Sequence, residues 1–428
     1  MTAQAPLAPG LPLLGNALSL AGDIRGFLHQ QYEDLGPVFR VKAPGYEATV
    51  LAGLDANLFM MRHAECFRSK EVWEEQDAIY GASRSVLSMD GPEHLRFRKA
   101  LRRGYGRATL DTRMAEVVAL SEPELTPGVF EAHYFMQRLV TKQLGLLTAH
   151  IDATDYLDDM IRFVRMTIAK VTGQRPGFTL LSPGYKRSKT RAFELGTKLI
   201  KLHSDGEHDD LIGDILQLHR DDPEFLPEDD MLIAVLGPFI AGLDTAASTL
   251  AFVLYNLYVH PEVLEQVQAE ADGFFAGELD SSRLKEMTTT YKLVLETLRM
   301  YPISPALSRV ANQTIEFGGY TIPEGEALIV ATTVPHYLPE HFPDPHTFDL
   351  ERYAEPRNEH RQTGAFVPFG LGAHTCLGMG LAEALMLLNV ATLTHFADLS
   401  FPDDYQLSID PVPTPKTKNF KVTLTVRA

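Results

Sequence analysis

Residues 369–378 read Phe-Gly-Leu-Gly-Ala-His-Thr-Cys-Leu-Gly, a lone cysteine framed by glycines just ahead of a helical apolar pattern. Downstream, Leu381, Ala384, Leu385, Leu388 and Ala391 recur at helical spacing and make one apolar face. The spacing therefore puts Cys376 at a helix N-terminus, where unpaired backbone N–H groups and the positive end of the helix dipole favour a thiolate. A thiolate is a metal ligand. Gly370, Gly372 and Gly378 lack a Cβ, so the backbone there can turn tightly and lie against a flat ligand, while Phe369 can keep water off the sulfur. A lone cysteine before a helix is more often an inert small hydrophobe. The surrounding positions decide between the two readings.

Phe369, Gly370, Gly372, His374, Cys376 and Gly378 resemble, position for position, the signature of the cytochrome P450 family, in its soluble bacterial type. The resemblance implies haem b (iron protoporphyrin IX) with Cys376 as the iron ligand. It also implies a mainly α fold with small β-sheets, a triangular helical prism around a buried haem. His374 stands where the family more often has arginine, so its contact with a haem propionate is expected to be weaker and pH-sensitive.

The chain has 428 residues, 45% hydrophobic and 22% charged, with no repeat or low-complexity linker, and reads as a single domain, 1–428. Its β-rich part falls mainly in 37–65 and 305–335, with the remainder helical. Only two cysteines occur, Cys66 and Cys376, so no disulfide framework is expected and a reducing interior fits. Cys66 reads as a core residue. The N-terminus carries Pro6, Pro9 and Pro12 and neither a signal pattern nor a spanning apolar run, which predicts a cytoplasmic protein with no membrane span. A net charge of −17 argues against nucleic-acid binding.

In chain order, Pro37 to Ala43 and Ala48 to Gly53 predict a hairpin around Pro44-Gly45, followed by a helix over Leu54 to Ala64. From Trp73 to Met89 the pattern weakens and reads as a partly irregular segment. The stretch from Glu93 to Arg107 is dense in positive charge. Helical spacing sets His94, Arg98 and Arg102 on one side and Arg96, Lys99, Arg103 and Arg107 on another. The resemblance takes His94 and Arg98 to the propionates; the second face reads as an outward basic patch on which an acidic electron donor could dock. Asp152 to Val171, Thr190 to His203 and Leu211 to His219 read as helices. Asp229 to His260 is the longest apolar helix, interrupted by Gly242, Asp244 and Thr245. By resemblance, Gly242 leaves room for dioxygen over the distal haem face, and Asp244 and Thr245 relay protons toward it.

Tyr291 to Tyr301 predicts a helix carrying Glu296 and Arg299 three apart. The resemblance gives these a structural role, locked with Arg352, and makes Arg309 the second propionate partner. Strands are predicted over Gly318 to Ile322 and Ala327 to Ala331 and at the C-terminus, with Pro335 to Pro368 a long loop. Phe239, Ile240, Ala241, Ala306 and Leu307, with the Ile79 to Leu87 region, suggest an apolar substrate pocket.

The expected activity is that of a haem-thiolate monooxygenase. It would use dioxygen and two electrons from a ferredoxin or flavodoxin-type donor with its NAD(P)H reductase to hydroxylate or epoxidise a lipophilic small molecule. A peroxide-driven peroxygenase and a non-catalytic haem gas- or ligand-binding protein are the alternatives. The Asp244–Thr245 pair favours the first.

Overall fold

The computed structural model describes residues 4–206 and 208–427. The backbone gathers into two compact units, one drawn from the chain up to Ile79, Ser83–Arg96 and Pro302–Cys376, the other from Tyr80–Ala82, Phe97–Tyr301 and the chain from Leu377 onward.

The first unit is built on a five-stranded sheet ordered Val38–Ala43, Tyr46–Ala52, Ala327–Ala331, Leu307–Ala311, Phe67–Arg68. Gly45, at φ 73°, makes the hairpin turn between the first two strands. Tyr46–Ala52 then pairs in parallel with Ala327–Ala331, Val50 opposite Ile329. Alternate residues go to opposite faces: Val38, Leu51, Leu328 and Val330 bury with Cys66 and Phe67, while Phe39, Val50, Ile329 and Ala331 bury with Leu28. Both faces are covered, which is why Ala327–Ala331 reads as an unbroken apolar run and Ala48–Ala52 is interrupted only by Thr49. The Ile24–Leu35 helix that covers one face is capped by Asp23, whose side chain accepts from the Gly26 amide.

In the second unit the 32-residue helix Glu228–Val259 is central, packed most extensively on Ala132–Ala149. Acidic Glu228, Asp229 and Asp230 fill its first turn and complement the helix dipole, and Pro261 follows its end. This helix and Met379–Phe396 are long and apolar enough to cross a membrane by length and composition, with 56% and 67% of the apolar window buried inside the protein. Their apolarity serves the core. The Met379–Phe396 helix is buried on nearly every side, Met386, Leu387, Val390 and Leu393 joining the predicted face.

Two expectations are refined. Within the stretch expected to be partly irregular, Lys70–Tyr80 is a helix and 81–90 holds neither helix nor strand. The inward positions of this helix include polar Gln76 and Asp77, which hide the period. The basic helix spans Gly91–Leu101 and stops short of Arg107. Beyond it the chain presses close to its neighbour, since a Cβ on Gly104 would lie 2.5 Å from the Leu211 Cβ.

Candidate active site

The cysteine loop is closed by its own backbone, the Cys376 amide donating to the Phe369 carbonyl at 2.9 Å. Between them Gly370 and Gly372 hold φ 70° and 73°, left-handed conformations that a side chain would strain. Gly378 is different: it is the helix N-cap at φ −87°, and an added Cβ would make only ordinary contact with Tyr105 at 3.6 Å. Cys376 therefore precedes the cap by two residues instead of sitting in the first turn, and its sulfur is presented by the loop. The residue is exposed, whereas Cys66 is buried, takes a hydrogen bond from Gln313 Nε2 at 3.2 Å, and has its thiol pushed up by burial. Of the two, only Cys376 offers a ligand. Phe369 is half-buried beside it.

In the same unit the structure gathers His94, His374 and Arg309 with two residues the sequence did not single out, Ser69 and Asp90. His374 Nε2 lies 3.2 Å from Asp90 Oδ1 and 3.2 Å from Ser69 Oγ, and its ring stacks on His94 with centroids 4.0 Å apart. Asp90 Oδ2 accepts from the Ser69 amide at 2.8 Å and the Lys70 amide at 3.2 Å. Burial works to raise the Asp90 carboxyl, but the His374 bond and these amides outweigh it and hold the group below the usual carboxylate range. Arg309 is 5% exposed and donates from Nη1 to the Ser308 carbonyl at 2.7 Å. Burial pushes this guanidinium down to about 10, with the Asp90 charge opposing.

The long helix divides its special residues by direction. Ala241 and Thr245 are exposed, and Thr245 Oγ1 donates to the Ala241 carbonyl at 2.7 Å. Asp244 points into the unit: Oδ1 accepts from Gln137 Nε2 at 2.8 Å and lies 3.4 Å from His133 Nε2, while Oδ2 is buried with no hydrogen-bond partner among the described residues. Burial alone would lift this carboxyl. The His133 bond and charge, with Arg165 and Lys416 behind, outweigh burial and lower it. A cavity of about 610 Å³ opens beside the acid, with His133, Gln137, Arg165 and Lys416 in its wall. At Gly242 a Cβ would come within 3.1 Å of Leu144, so helix packing already asks for glycine there. Of the proposed pocket residues, Ile240, Ala306 and Leu307 are half-buried, Ala241 is exposed and Phe239 is fully buried.

The outward basic patch is corrected in part. Arg103 pairs with Asp214, Nε to Oδ2 at 3.1 Å, and with Asp209, while Arg107 lies 3.8 Å from Asp111. Two acids from elsewhere in the chain neutralise Arg103, and one just past the stretch meets Arg107. Arg96, Lys99 and Arg102 remain exposed, and Arg98 is half-buried on its helix.

A family model, Cytochrome P450, matches residues 127–420. The chain belongs to the cytochrome P450 family. It is 30% identical over 409 residues to a cyclooctat-9-en-7-ol 5-monooxygenase of Streptomyces melanosporofaciens, covering 90% of this chain and 87% of that one. It is 28% identical over 432 residues to abscisic acid 8'-hydroxylase 3 of Oryza sativa subsp. indica, covering 95% and 84%. The crystal structure of the cytochrome P450DA heme domain superposes with TM-score 0.87 at 22% identity, covering 100% of this chain and 99% of that one. The enzyme is therefore a haem-containing oxidoreductase, a monooxygenase by family.

The residues of this P450 fit the haem. Cys376 supplies an exposed sulfur on a glycine-turned loop, and Arg309 is a buried cation with no carboxylate within ion-pair distance among the described residues, a site that asks for an anion such as a propionate. Holding that charge without an anion costs of the order of 3 kcal/mol at neutral pH, judged from its lowered value. Arg309→Met is accordingly expected to raise the denaturation midpoint of haem-free protein while speeding haem loss to an apomyoglobin acceptor by at least about tenfold. An apoprotein made less stable by the change would show that Arg309 is satisfied within the protein.

Proposed function

We propose that this cytoplasmic P450 hydroxylates or epoxidises a lipophilic small molecule, with dioxygen as oxidant and two electrons from a ferredoxin or flavodoxin-type donor served by an NAD(P)H reductase. The observation that carries the reading is the adjacent acid and alcohol on the long helix, one exposed and one buried but hydrogen-bonded. The relatives named above act, by their names, on cyclooctat-9-en-7-ol and abscisic acid. Half-buried Ala306 and Leu307 suit a substrate of apolar body.

When bound, the haem supplies dioxygen activation, its thiolate ligand lending electron density for O–O cleavage. The chain's own part is to hold and deliver protons. Thr245 Oγ1 gives its hydrogen to the Ala241 carbonyl, leaving lone pairs on its exposed side to accept a proton, which rotation about Cα–Cβ lets it pass on. Asp244 sits one residue earlier, and the cavity brings solvent to His133 and Gln137, both of which reach its Oδ1. Proton supply of this kind contributes about 10²–10⁴-fold in rate.

Thr245→Ala should keep haem and substrate binding but divert reducing equivalents to hydrogen peroxide, and Asp244→Asn should slow turnover by about tenfold or more. Product and peroxide per NAD(P)H consumed measure both. Unchanged coupling and turnover in both variants would refute the relay. The wider reading is tested by screening a lipophilic library for a substrate-induced haem spin shift, then feeding the hits with surrogate ferredoxin and reductase. Spin-shifting compounds that are never oxygenated under either donor class would overturn it.

A further inference from the structure

Far along the chain from the cysteine loop, the connection between helices Pro183–Leu202 and Leu211–Asp221 brings together His203, His208 and Asp210. Their candidate ligand atoms all lie within 4.8 Å of one another. His203 and Asp210 are only 3% and 5% exposed. Each side chain is pinned from behind. His203 Nδ1 lies 2.9 Å from the Leu199 carbonyl and His208 Nε2 lies 3.0 Å from the Asp205 carbonyl. A carbonyl only accepts, so each of those nitrogens carries the hydrogen, and the free lone pairs are on His203 Nε2 and His208 Nδ1. Asp210 spends Oδ1 capping its helix, accepting from the Gly213 amide at 2.8 Å, and turns Oδ2 to His203 Nε2 at 3.0 Å. Gly213 fixes the loop against this end, since a Cβ there would lie 2.3 Å from the His208 carbonyl oxygen.

A neutral imidazole lone pair and a carboxylate oxygen are both acceptors, so 3.0 Å between them demands a cation in the gap. A proton would satisfy His203 and Asp210 but gives no part to half-buried His208, whose ring centroid lies 4.5 Å from that of His203. A metal ion uses all three. Two ligands about 2.0–2.1 Å from a tetrahedral zinc are about 3.3 Å apart; His203 Nε2 and Asp210 Oδ2 stand 3.0 Å apart, and the His208 ligand atom lies within 4.8 Å of both. Histidines whose second nitrogen donates to a backbone carbonyl are the usual form of metal-bound imidazole. We propose that His203 Nε2, His208 Nδ1 and Asp210 Oδ2 bind a zinc-type divalent ion, water completing the shell, which clasps the end of one helix to the start of the next. His150 Nε2 is 3.3 Å from the same Asp210 oxygen but lies 2.8 Å from Arg113 Nη2, whose N–H occupies its lone pair, so it stands outside the ligand set.

The site is independent of the oxygenation chemistry, and its test does not use activity. Zinc chloride is titrated calorimetrically into the haem-loaded full chain, with thermal unfolding followed in parallel. Wild type should bind one equivalent saturably and unfold at higher temperature with zinc. His208→Ala, a half-buried loop change, and Asp210→Asn, which can still cap the helix, should each weaken that binding by more than about 100-fold and remove the thermal shift. The circular-dichroism spectra of both variants should match wild type, so lost binding would not reflect lost fold. Absence of a one-equivalent site, or a site indifferent to both substitutions, overturns the proposal and leaves a His203–Asp210 proton pair.

Discussion

Cys376→Ala is expected to abolish the red-shifted, thiolate-type Soret band of the reduced, carbonyl-bound protein and with it monooxygenase turnover, whereas Cys66→Ala should keep both. The asymmetry follows from placement. Cys376 is exposed on a loop that Gly370 and Gly372 turn and the Phe369 carbonyl closes. Cys66 is packed with Phe67, Ala311 and Leu328, where burial holds it as a neutral thiol. Removing the Cys66 sulfur should cost about 1 kcal/mol of stability and nothing of the spectrum. Haem content and band position for the two variants decide the matter, and a band lost with Cys66 but kept without Cys376 would reverse the ligand assignment.

How much of this was legible in the sequence depends on how local the cause was. The Ala327–Ala331 and Lys421–Val426 strands lie where alternation and apolar runs put them, because strand period and two-sided burial are written within each segment. The Lys70–Tyr80 helix did not stand out from its partly irregular stretch because its buried face includes Gln76 and Asp77, polar residues that break a hydrophobicity count. The end of the basic helix was misjudged because Gly104 meets Leu211 in space, not in sequence.

The site shows the same division. Cys376, Arg309 and Thr245 could be named because a short motif or a fixed resemblance carries them. Asp90 meets His374 across 284 residues, and Gln137 meets Asp244 across 107, so neither partner has a local signature. A weak signal existed for Asp90: an acid directly before a helix usually caps it, yet this carboxylate accepts from the amides of Ser69 and Lys70. Charge was misread for the same reason. Arg103 looked unopposed in its own stretch, but Asp209 and Asp214 reach it from more than 100 residues away, so reversing its charge would strain the fold and could not report cleanly on a docking partner.

Arg299→Ala is expected to lower unfolding free energy by about 3–5 kcal/mol, a large share of the roughly 5–15 kcal/mol that holds a typical domain together. Arg299 and Glu296 are fully buried, joined by two parallel bonds, Nε to Oε2 at 2.7 Å and Nη2 to Oε1 at 2.8 Å. Two charges have left water to make that pair, and deleting one strands the other in a dry interior. The resemblance adds Arg352 to this network. Within its own unit Arg352 is 1% exposed and donates to the Asp344 carbonyl at 2.7 Å and to Glu359 at 3.0 Å, so its removal should also be severe. A comparison inside the same molecule separates burial from spacing: Arg191 and Glu194 stand three apart on a helix at the same 2.7 Å, but exposed. Glu194→Ala should leave the denaturation midpoint near wild type while Arg299→Ala moves it far down, both read from urea unfolding of haem-loaded protein. Equal, small shifts in the two variants would mean that the buried pair is solvated in solution and that the Thr288–Met300 helix does not depend on it.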